Sequence, residues 1–244
     1  MITGLITVRT TSTRLPAKCL LPFGDGMNVI EHVILRAKHY DIDPILCTST
    51  DQTDDILIEF AKKYRIKYFR GALVNKLKRW SDCVEHFKIK NFHSVDADDP
   101  FFDGEEMHKS MSLLTKDGYD IVCPTISSSN GAASVGYSLT SNIVKKALIG
   151  VNEDRDTEMM WYYIDKIENL KKYILDESDD IIINARLTLD YQEDYWLLST
   201  IQKILGNNCS RKEIFFLFKE NPDLYKINWF RNSQWKNAQE SKKI

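Results

Sequence analysis

Three cations and several hydroxyl groups stand close together in the segment between residues 9 and 18. Arg9, Arg14 and Lys18 carry the charges, and Ser12 with the neighbouring threonines supplies hydroxyl groups. Small and hydroxylated residues let a backbone approach a phosphate and donate hydrogen bonds to it, and the cations supply the charge that a triphosphate requires. The segment is therefore predicted to be a phosphate-binding loop for a nucleotide.

A second group of chemically capable residues is the acidic cluster of Asp96, Asp98 and Asp99, which ends at Pro100. Alternation along an extended chain puts Asp96 and Asp98 on one side and turns Asp99 away. Like charges this close repel each other, so the cluster needs a cation or hydrogen-bond donors, and carboxylate oxygens beside a phosphate suit Mg²⁺. The cluster therefore predicts a magnesium site. The alternative interpretation is an acidic turn exposed to solvent.

Apolar periodicity supplies a framework that can hold these two segments. Short apolar runs alternate with helical patterns, and strands separated by helices pair in parallel in a sheet covered on both faces. Residues 127–136 are rich in small polar residues and predict a loop. The predicted strands are residues 5–8, 44–48, 66–69, 91–95, 120–124, 135–140 and 181–189, and the predicted helices are residues 28–39, 54–64, 75–87, 105–114, 157–170, 194–205 and 211–221.

Length and charge restrict the class of protein. The chain has 244 residues, a formal net charge of −2 and a hydrophobic content of 43%. This length suits one domain, predicted over residues 1–230, with a polar tail over residues 231–244. The net charge gives no basic surface for duplex nucleic acid. No apolar run approaches the ~18 residues that a membrane span requires.

The cysteines and the N-terminus indicate a cytoplasmic protein. The five cysteines are scattered along the chain, odd in number and without a C-x-x-C pair, which is typical of reduced thiols. The N-terminus lacks the charged and apolar regions of a signal peptide. We therefore expect a cytoplasmic location, with no metal or redox role for the cysteines.

Three motifs follow one another along the chain. They are Arg9-x-x-Ser12-x-Arg14-Leu15-Pro16-x-Lys18, Asp98-Asp99-Pro100 and Leu187-Thr188-Leu189-Asp190-x-x-Glu193-Asp194. In this order they resemble the motifs of the sugar-acid cytidylyltransferases, the family that includes the CMP-Kdo and CMP-acylneuraminate synthetases. The likeness is strongest to the spore-coat polysaccharide cytidylyltransferase-like branch, to which residues 221–228 and Thr157-Glu158 are also similar.

The resemblance implies a fold, a reaction and a set of site residues. The fold is α/β, a three-layer nucleotide-diphospho-sugar transferase-like (Rossmann-like) arrangement with a mixed, mostly parallel sheet. The reaction is attack by a sugar-acid hydroxyl on the α-phosphorus of CTP for cell-surface polysaccharide synthesis, with Mg²⁺ and release of pyrophosphate. By resemblance Lys18, Arg14 and Asp98 are catalytic, and Asp98 and Asp190 bind the metal. The residues expected to bind the nucleotide are Leu5, Thr7, Arg9, Ser12, Arg14, Lys18, Arg70 and Arg79. The resemblance also implies a homodimer.

The chain departs from the family pattern at some positions, and more than one function stays open. Ala17 stands where glycine is usual and Asn75 where aspartate is frequent, and the long dimerisation insertion of the sialic-acid branch is missing. Asp96-Ala97-Asp98 is formally the D-x-D motif of an A-type glycosyltransferase, although such an enzyme does not need the phosphate-binding loop. A cytidylyltransferase that acts on a phosphonate or polyol is also compatible with the motifs, as is a non-catalytic binding module.

Overall fold

A single seven-stranded sheet runs through the computed structural model, which describes residues 1–131, 136–177 and 185–240. The strand order is β3-β2-β1-β4-β6-β5-β7. Strand β6 runs antiparallel to β4 and β5, and the other neighbouring pairs are parallel. The strands are β1 (Ile2–Thr7), β2 (Ile42–Ser49), β3 (Lys67–Gly71), β4 (Asn91–Asp96), β5 (Ile121–Cys123), β6 (Ser138–Thr140) and β7 (Lys172–Ile174).

Helices cover both faces of this sheet. Alternate residues of β1 point to opposite sides, so that Ile6 joins one apolar core and Leu5 the other. The two cores make the fold a three-layer α/β arrangement with a mixed, mostly parallel sheet, as predicted. The helices are α1 (Val29–His39), α2 (Asp55–Lys63), α3 (Lys76–His86), α4 (Gly104–Lys116), α5 (Ile126–Ser129), α6 (Ser141–Ala147), α7 (Trp161–Ile164), α8 (Gln192–Leu205), α9 (Arg211–Glu220) and α10 (Arg231–Glu240). Across the described ranges, every helix is too short or too polar to span a bilayer.

The sheet brings the two chemically capable segments to one edge. Strands β1 and β4 are parallel neighbours, and Thr7 at the end of β1 lies opposite Asp96 at the end of β4. The loop that follows Thr7 and the acidic cluster that begins at Asp96 therefore leave the sheet side by side. Ligands of open α/β sheets bind at this carboxyl edge.

Several predicted elements between residues 120 and 190 differ from the structure. Helix 157–170 is reduced to the single turn α7. At its predicted start the buried Thr157 hydroxyl donates to Asn75 and accepts from the backbone N–H of Leu77, and near its predicted end Asn169 has a left-handed φ of 57°, which a helix does not allow. The predicted loop 127–136 begins inside the short helix α5, and residues 132–135 lie outside the described ranges. Helix α6 and strand β7 were not predicted.

The C-terminal third also differs from the prediction. Of the strand predicted at 181–189, residues 181–184 lie outside the described ranges, and residues 185–189 are extended without joining the sheet. Their backbone donates to loops instead, from Leu187 N to Gly131 O at 2.6 Å and from Leu189 N to Asp98 O at 2.7 Å. The predicted polar tail is helical from Arg231 to Glu240.

The buried His32 makes stability depend on pH. Its Nε2 lies 2.9 Å from the carbonyl oxygen of Pro100, directly after the acidic cluster. Burial, assisted by the Arg36 guanidinium, lowers the pKa of His32 from 6.5 to about 4. Below pH 6.5 His32 is therefore protonated in the unfolded chain, whereas in the folded chain it stays neutral down to about pH 4. The contribution of His32 to stability is present above pH 6.5 and is lost as the pH falls.

We predict that the free energy of unfolding of the unaltered chain falls by about 2 kcal/mol more than that of His32→Gln between pH 7 and pH 5. Glutamine can still donate to Pro100 but does not titrate. Urea unfolding at a series of pH values measures the difference, and parallel pH profiles for the two proteins would contradict it.

Candidate active site

The loop between β1 and α1 is held by the buried carboxylate of Asp54. The backbone N–H and the hydroxyl of Thr10 each donate to Asp54 Oδ1 at 2.8 Å, and the hydroxyl of Thr48 donates to Oδ2 at 3.0 Å. Ala17 has φ 51° and ψ 30°, in the left-handed region that costs a non-glycine residue about 1–2 kcal/mol. This conformation gives a physical reason for glycine at this position in the family pattern.

The loop forms one wall of a cleft of about 440 Å³. Opposite it lie the end of β4 and the first turns of α3. The predicted site residues that line the cleft are Thr7, Arg9, Ser12, Arg14, Lys18, Arg79 and Asp98. The structure therefore brings seven of the predicted residues to one surface.

At the deep end of this cleft, Lys18 joins two carboxylates. Its Nζ lies 2.7 Å from Asp98 Oδ2 and 2.9 Å from Asp190 Oδ1, and it also donates to the carbonyl oxygen of Leu189 at 2.8 Å. Arg14 contacts the same Asp190 oxygen at 2.6 Å. Asp190 and Asp98, which are 92 positions apart in the chain, thus meet at one ammonium group.

The electrostatics of this centre follow from burial and charge. Burial by itself would raise the pKa of Asp190, but Lys18 and Arg14 outweigh it and hold that pKa well below its ordinary value. Burial by itself would lower the pKa of Lys18, but Asp190 and Asp98 raise it above its ordinary value. Lys18 is therefore an ammonium and Asp190 a carboxylate throughout the neutral range.

Asp98 and Asp190 both contact one cation, and this contact shows whether Mg²⁺ fits between them. The Lys18 ammonium occupies a position within 3 Å of an oxygen of each carboxylate, so a cation is accommodated between them. Within the described ranges no three or more His, Cys, Asp or Glu side chains are grouped to hold a metal. Mg²⁺ usually takes one or two carboxylates together with substrate phosphates and water. The two carboxylates therefore fit a magnesium ion that arrives with a nucleotide.

The cleft is also lined by residues that the sequence motifs did not assign to the nucleotide, among them Lys76 and Glu158. Lys76 donates to Asp96 Oδ1 at 2.7 Å, and its Nζ lies 4.9 Å from the centre of the Trp80 ring. Glu158 lies opposite Arg9, with 4.0 Å between a carboxylate oxygen and the guanidinium. Lys76 stands three positions before Arg79 on α3, and this i,i+3 spacing on one helix face is the signal that could have identified it.

Two predicted nucleotide-binding residues lie outside the cleft. The side chain of Leu5 is fully buried in the core between the sheet and α3, because an interior position of a central strand faces a helix layer. Arg70 is the penultimate residue of the edge strand β3, where it donates to the carbonyl oxygens of Ser49 and Asp51 and pairs with Asp55 at 2.7 Å. The strand order separates it from the cleft.

Comparison with known proteins gives the family. Residues 3–203 match the sequence model of the family described as Cytidylyltransferase. The chain belongs to the cytidylyltransferase family. The Bacillus subtilis spore coat polysaccharide biosynthesis protein SpsF is 27% identical over 229 residues, which cover 90% of this chain and 94% of that protein. The predicted family is thereby confirmed.

Solved structures confirm the fold of this cytidylyltransferase. A cytidylyltransferase from Leptospira borgpetersenii superposes with a TM-score of 0.78 at 23% identity, covering 92% of this chain and 96% of that one. The CMP:2-keto-3-deoxy-manno-octonic acid synthetase, solved in complex with CTP, superposes with a TM-score of 0.63 at 11% identity, covering 84% of this chain and 99% of that one. The predicted nucleotidyltransferase fold is therefore correct.

A buried network supports Asp190 in this cytidylyltransferase. Arg186, which is fully buried, contacts Asp194 through Nε at 2.9 Å and Asp190 at 3.5 Å. The side-chain amide of Asn228 donates to the Arg186 carbonyl oxygen at 2.8 Å and to Asp194 at 2.9 Å. Thr188 in the same segment donates to the buried Asp99 at 2.7 Å, which ties the segment to the acidic cluster.

We predict that Arg186→Met lowers the free energy of unfolding by about 3–5 kcal/mol, because it leaves the Asp194 carboxylate buried without its cation. The matched control is Arg231→Met, which breaks the partly exposed pair with Glu193 and is expected to cost about 1 kcal/mol or less. Urea unfolding measures both losses, and equal losses for the two variants would contradict the role given to Arg186.

Proposed function

We propose that this cytidylyltransferase transfers CMP from CTP to a hydroxyl group of a sugar acid of the Kdo or nonulosonate kind, with Mg²⁺, for cell-surface polysaccharide synthesis. The observation that carries the proposal is the meeting of Lys18, Asp98 and Asp190 at the end of a cleft lined by the cationic loop. The name of the relative SpsF and the CTP bound by the Kdo-activating structural neighbour support it. A homodimer is part of the same proposal.

The cations of the loop match the needs of the leaving group. Nucleotidyl transfer requires positioning and neutralisation of charge more than covalent assistance. Arg9, Arg14 and Lys18 would bind the β- and γ-phosphates, so that the charge on the departing pyrophosphate is neutralised as the bond from the α-phosphorus to its bridging oxygen breaks. The new bond joins the acceptor oxygen to the α-phosphorus, and the acceptor hydroxyl loses its proton.

Asp98 and Asp190 are the residues that would hold Mg²⁺. Bound there, the ion would offset charge on the α-phosphate and lower the pKa of a nearby hydroxyl. Lys18 bridges the two carboxylates in this structure, and it would turn to phosphate oxygens when a nucleotide binds. Asp96 keeps a cation of its own, because Lys76 contacts it at 2.7 Å.

A covalent enzyme intermediate is not part of the proposal. Cys19 is the cysteine that lines the cleft, and burial raises the pKa of its thiol to about 12. A thiol that stays protonated at neutral pH is a poor nucleophile. Direct attack by the acceptor hydroxyl is therefore the simpler route.

A smaller cavity next to the carboxylates is suited to the acceptor. It shares Arg14, Lys76, Asp96, Asp98 and Glu158 with the nucleotide cleft, so that the two spaces meet where the α-phosphate would lie. Its other walls carry hydroxyl groups and aromatic rings. These residues are Ser128, Ser129, Tyr137, Trp161, Thr188 and Trp235.

The charge of this cavity favours a polyol as the second candidate acceptor. Its lining carries five carboxyl side chains and the cations Arg14 and Lys76, each of which already contacts an aspartate. An uncharged acceptor would enter this acidic surface with less repulsion than a sugar acid. The same assay can separate the two acceptors.

The test is pyrophosphate release from each of the four nucleoside triphosphates with Mg²⁺ against a panel of acceptors: Kdo, neuraminic-type acids, aminoethylphosphonate and simple polyols. We expect release with CTP and one sugar acid. Release with CTP and a polyol would replace the first candidate by the second. Binding of CTP without release would point to a binding module, and release of pyrophosphate only from another nucleotide would overturn the proposal.

A further inference from the structure

A second cavity, of about 510 Å³, adjoins the acceptor cavity. The two cavities share four lining residues, Ser129, Tyr137, Trp161 and Trp235, which therefore lie at the junction between them. Tyr137 and Trp161 lie side by side, with ring centroids 6.2 Å apart and ring planes 28° from parallel. The second cavity therefore lies directly beside the space next to Asp98 and Asp190.

The second cavity is mainly apolar, whereas the adjoining acceptor cavity is acidic. Much of its wall is formed by Ile126, Met159, Met160, Ile164 and Ile174. Three charged side chains also line it: Asp165 and Lys172, which pair at 2.8 Å, and Lys236. A volume of this size with apolar walls is typical of sites that bind an apolar part of a small molecule.

Trp235 lies at the junction of the two cavities, although it belongs to a distant part of the chain. It lies on α10, beyond the residues 3–203 that match the family, and near the C-terminus of the described structure. The helix is anchored beside the site, because the buried Asn232 accepts from Arg186 at 3.5 Å. The guanidinium of Arg186 also lies 5.5 Å from the centre of the Trp235 ring. The position of Trp235 is thus coupled to the residue that supports Asp190.

We propose that the acceptor carries an apolar substituent, of the acyl or alkyl class, that passes Trp235 and lies in the apolar cavity. Trp235 is then a specificity-determining residue, because its ring forms a wall of both cavities at their junction. The proposal rests on the proposed function for the position of the reacting hydroxyl. The alternative is that a second copy of the chain covers the apolar cavity, which would leave no room for a substituent.

The test uses product-like probes that need no knowledge of the natural acceptor. These are the methyl and n-hexyl phosphodiesters of CMP, whose alkyl group leaves the phosphate on the acceptor side. Calorimetry with Mg²⁺ gives the ratio of their affinities in each protein, so that a general loss of nucleotide binding cancels. Since each fully buried methylene raises affinity by about fourfold, we expect the hexyl ester to bind at least ~10-fold more tightly than the methyl ester.

Trp235→Ala should reduce this ratio to about 3-fold or less, and Trp235→Phe should retain most of it. The matched control is Trp196→Ala, since Trp196 is exposed on α8 and lines neither cavity. A ratio near one in the unaltered protein, or a ratio unchanged in Trp235→Ala, overturns the inference. If CMP and both esters fail to bind, the proposed function is contradicted together with the inference. If CMP binds without an alkyl preference, the inference alone fails.

Discussion

Replacement of Asp98 by asparagine is expected to lower the rate of pyrophosphate release from CTP by about 10³-fold, with the fold intact. Asp98 is one of the two carboxylates that meet at Lys18, and a neutral amide has no charge with which to hold a cation there. Loss of one preorganised electrostatic contact at a reacting centre commonly costs 10²–10³-fold, and loss of a metal ligand belongs at the upper end. The measurement is turnover at saturating CTP over a range of Mg²⁺ concentrations.

Two features of the structure make this variant informative. Burial raises the pKa of Asp98, which means that its charge is partly unfavourable in the folded protein and that a neutral asparagine removes this cost. Lys18 keeps Asp190 and the Leu189 carbonyl oxygen as partners. The thermal midpoint should therefore change little. Asp82→Asn, which alters a half-buried aspartate paired with Lys78 on α3, is the matched control and should keep full turnover. A near-normal rate for Asp98→Asn would show that the metal assignment is wrong.

Replacement of Lys18 by alanine is expected to weaken binding of CTP by about 10- to 100-fold and binding of CMP by less than ~3-fold. The ammonium is proposed to contact the β- and γ-phosphates, which CMP lacks, and a hydrogen bond to a charged group contributes about 1.5–3 kcal/mol. Turnover should fall as well, since the pyrophosphate would leave without that charge. Calorimetry with CTP and CMP gives the two affinities.

The control for this variant is Lys78→Ala, which removes a lysine from the exposed side of α3. It should leave both affinities unchanged, because Lys78 does not line the cleft. Equal weakening of CTP and CMP by Lys18→Ala would contradict a contact to the distal phosphates. It would instead place Lys18 at the α-phosphate.

The parts of the site that could be predicted from the sequence are those fixed by local patterns and by parallel pairing. The loop and the acidic cluster each follow a predicted strand, and parallel strands present their carboxyl ends at one edge, so both segments were expected at the ligand-binding edge of the sheet. The pairing of β1 with β4, which brings Lys18 to Asp98, is a finding of the structure. Asp190 could be placed with them only by resemblance. Its segment does not join the sheet and is held instead by contacts to distant loops.

The residues that the sequence misplaced depend on tertiary structure. Arg70 lies outside the cleft because β3 is an edge strand, and strand order is not encoded in local periodicity. The helix predicted over 157–170 is replaced by an irregular segment and one helical turn, and its first residue, Thr157, contacts Asn75, 82 positions away. Trp235 carries no motif, and only the packing of α10 beside Arg186 brings it to the site.

The most direct test of the central claim is a crystal structure of the protein with CTP and Mg²⁺. We expect the triphosphate against Arg9, Ser12, Arg14 and Lys18, with Lys18 turned from Asp98 and Asp190 toward phosphate oxygens and the α-phosphorus facing Asp98. Contact between the nucleotide and Asp96 and Asp98 alone, with the loop between β1 and α1 away from the phosphates, would contradict the account. That arrangement would favour a glycosyltransferase.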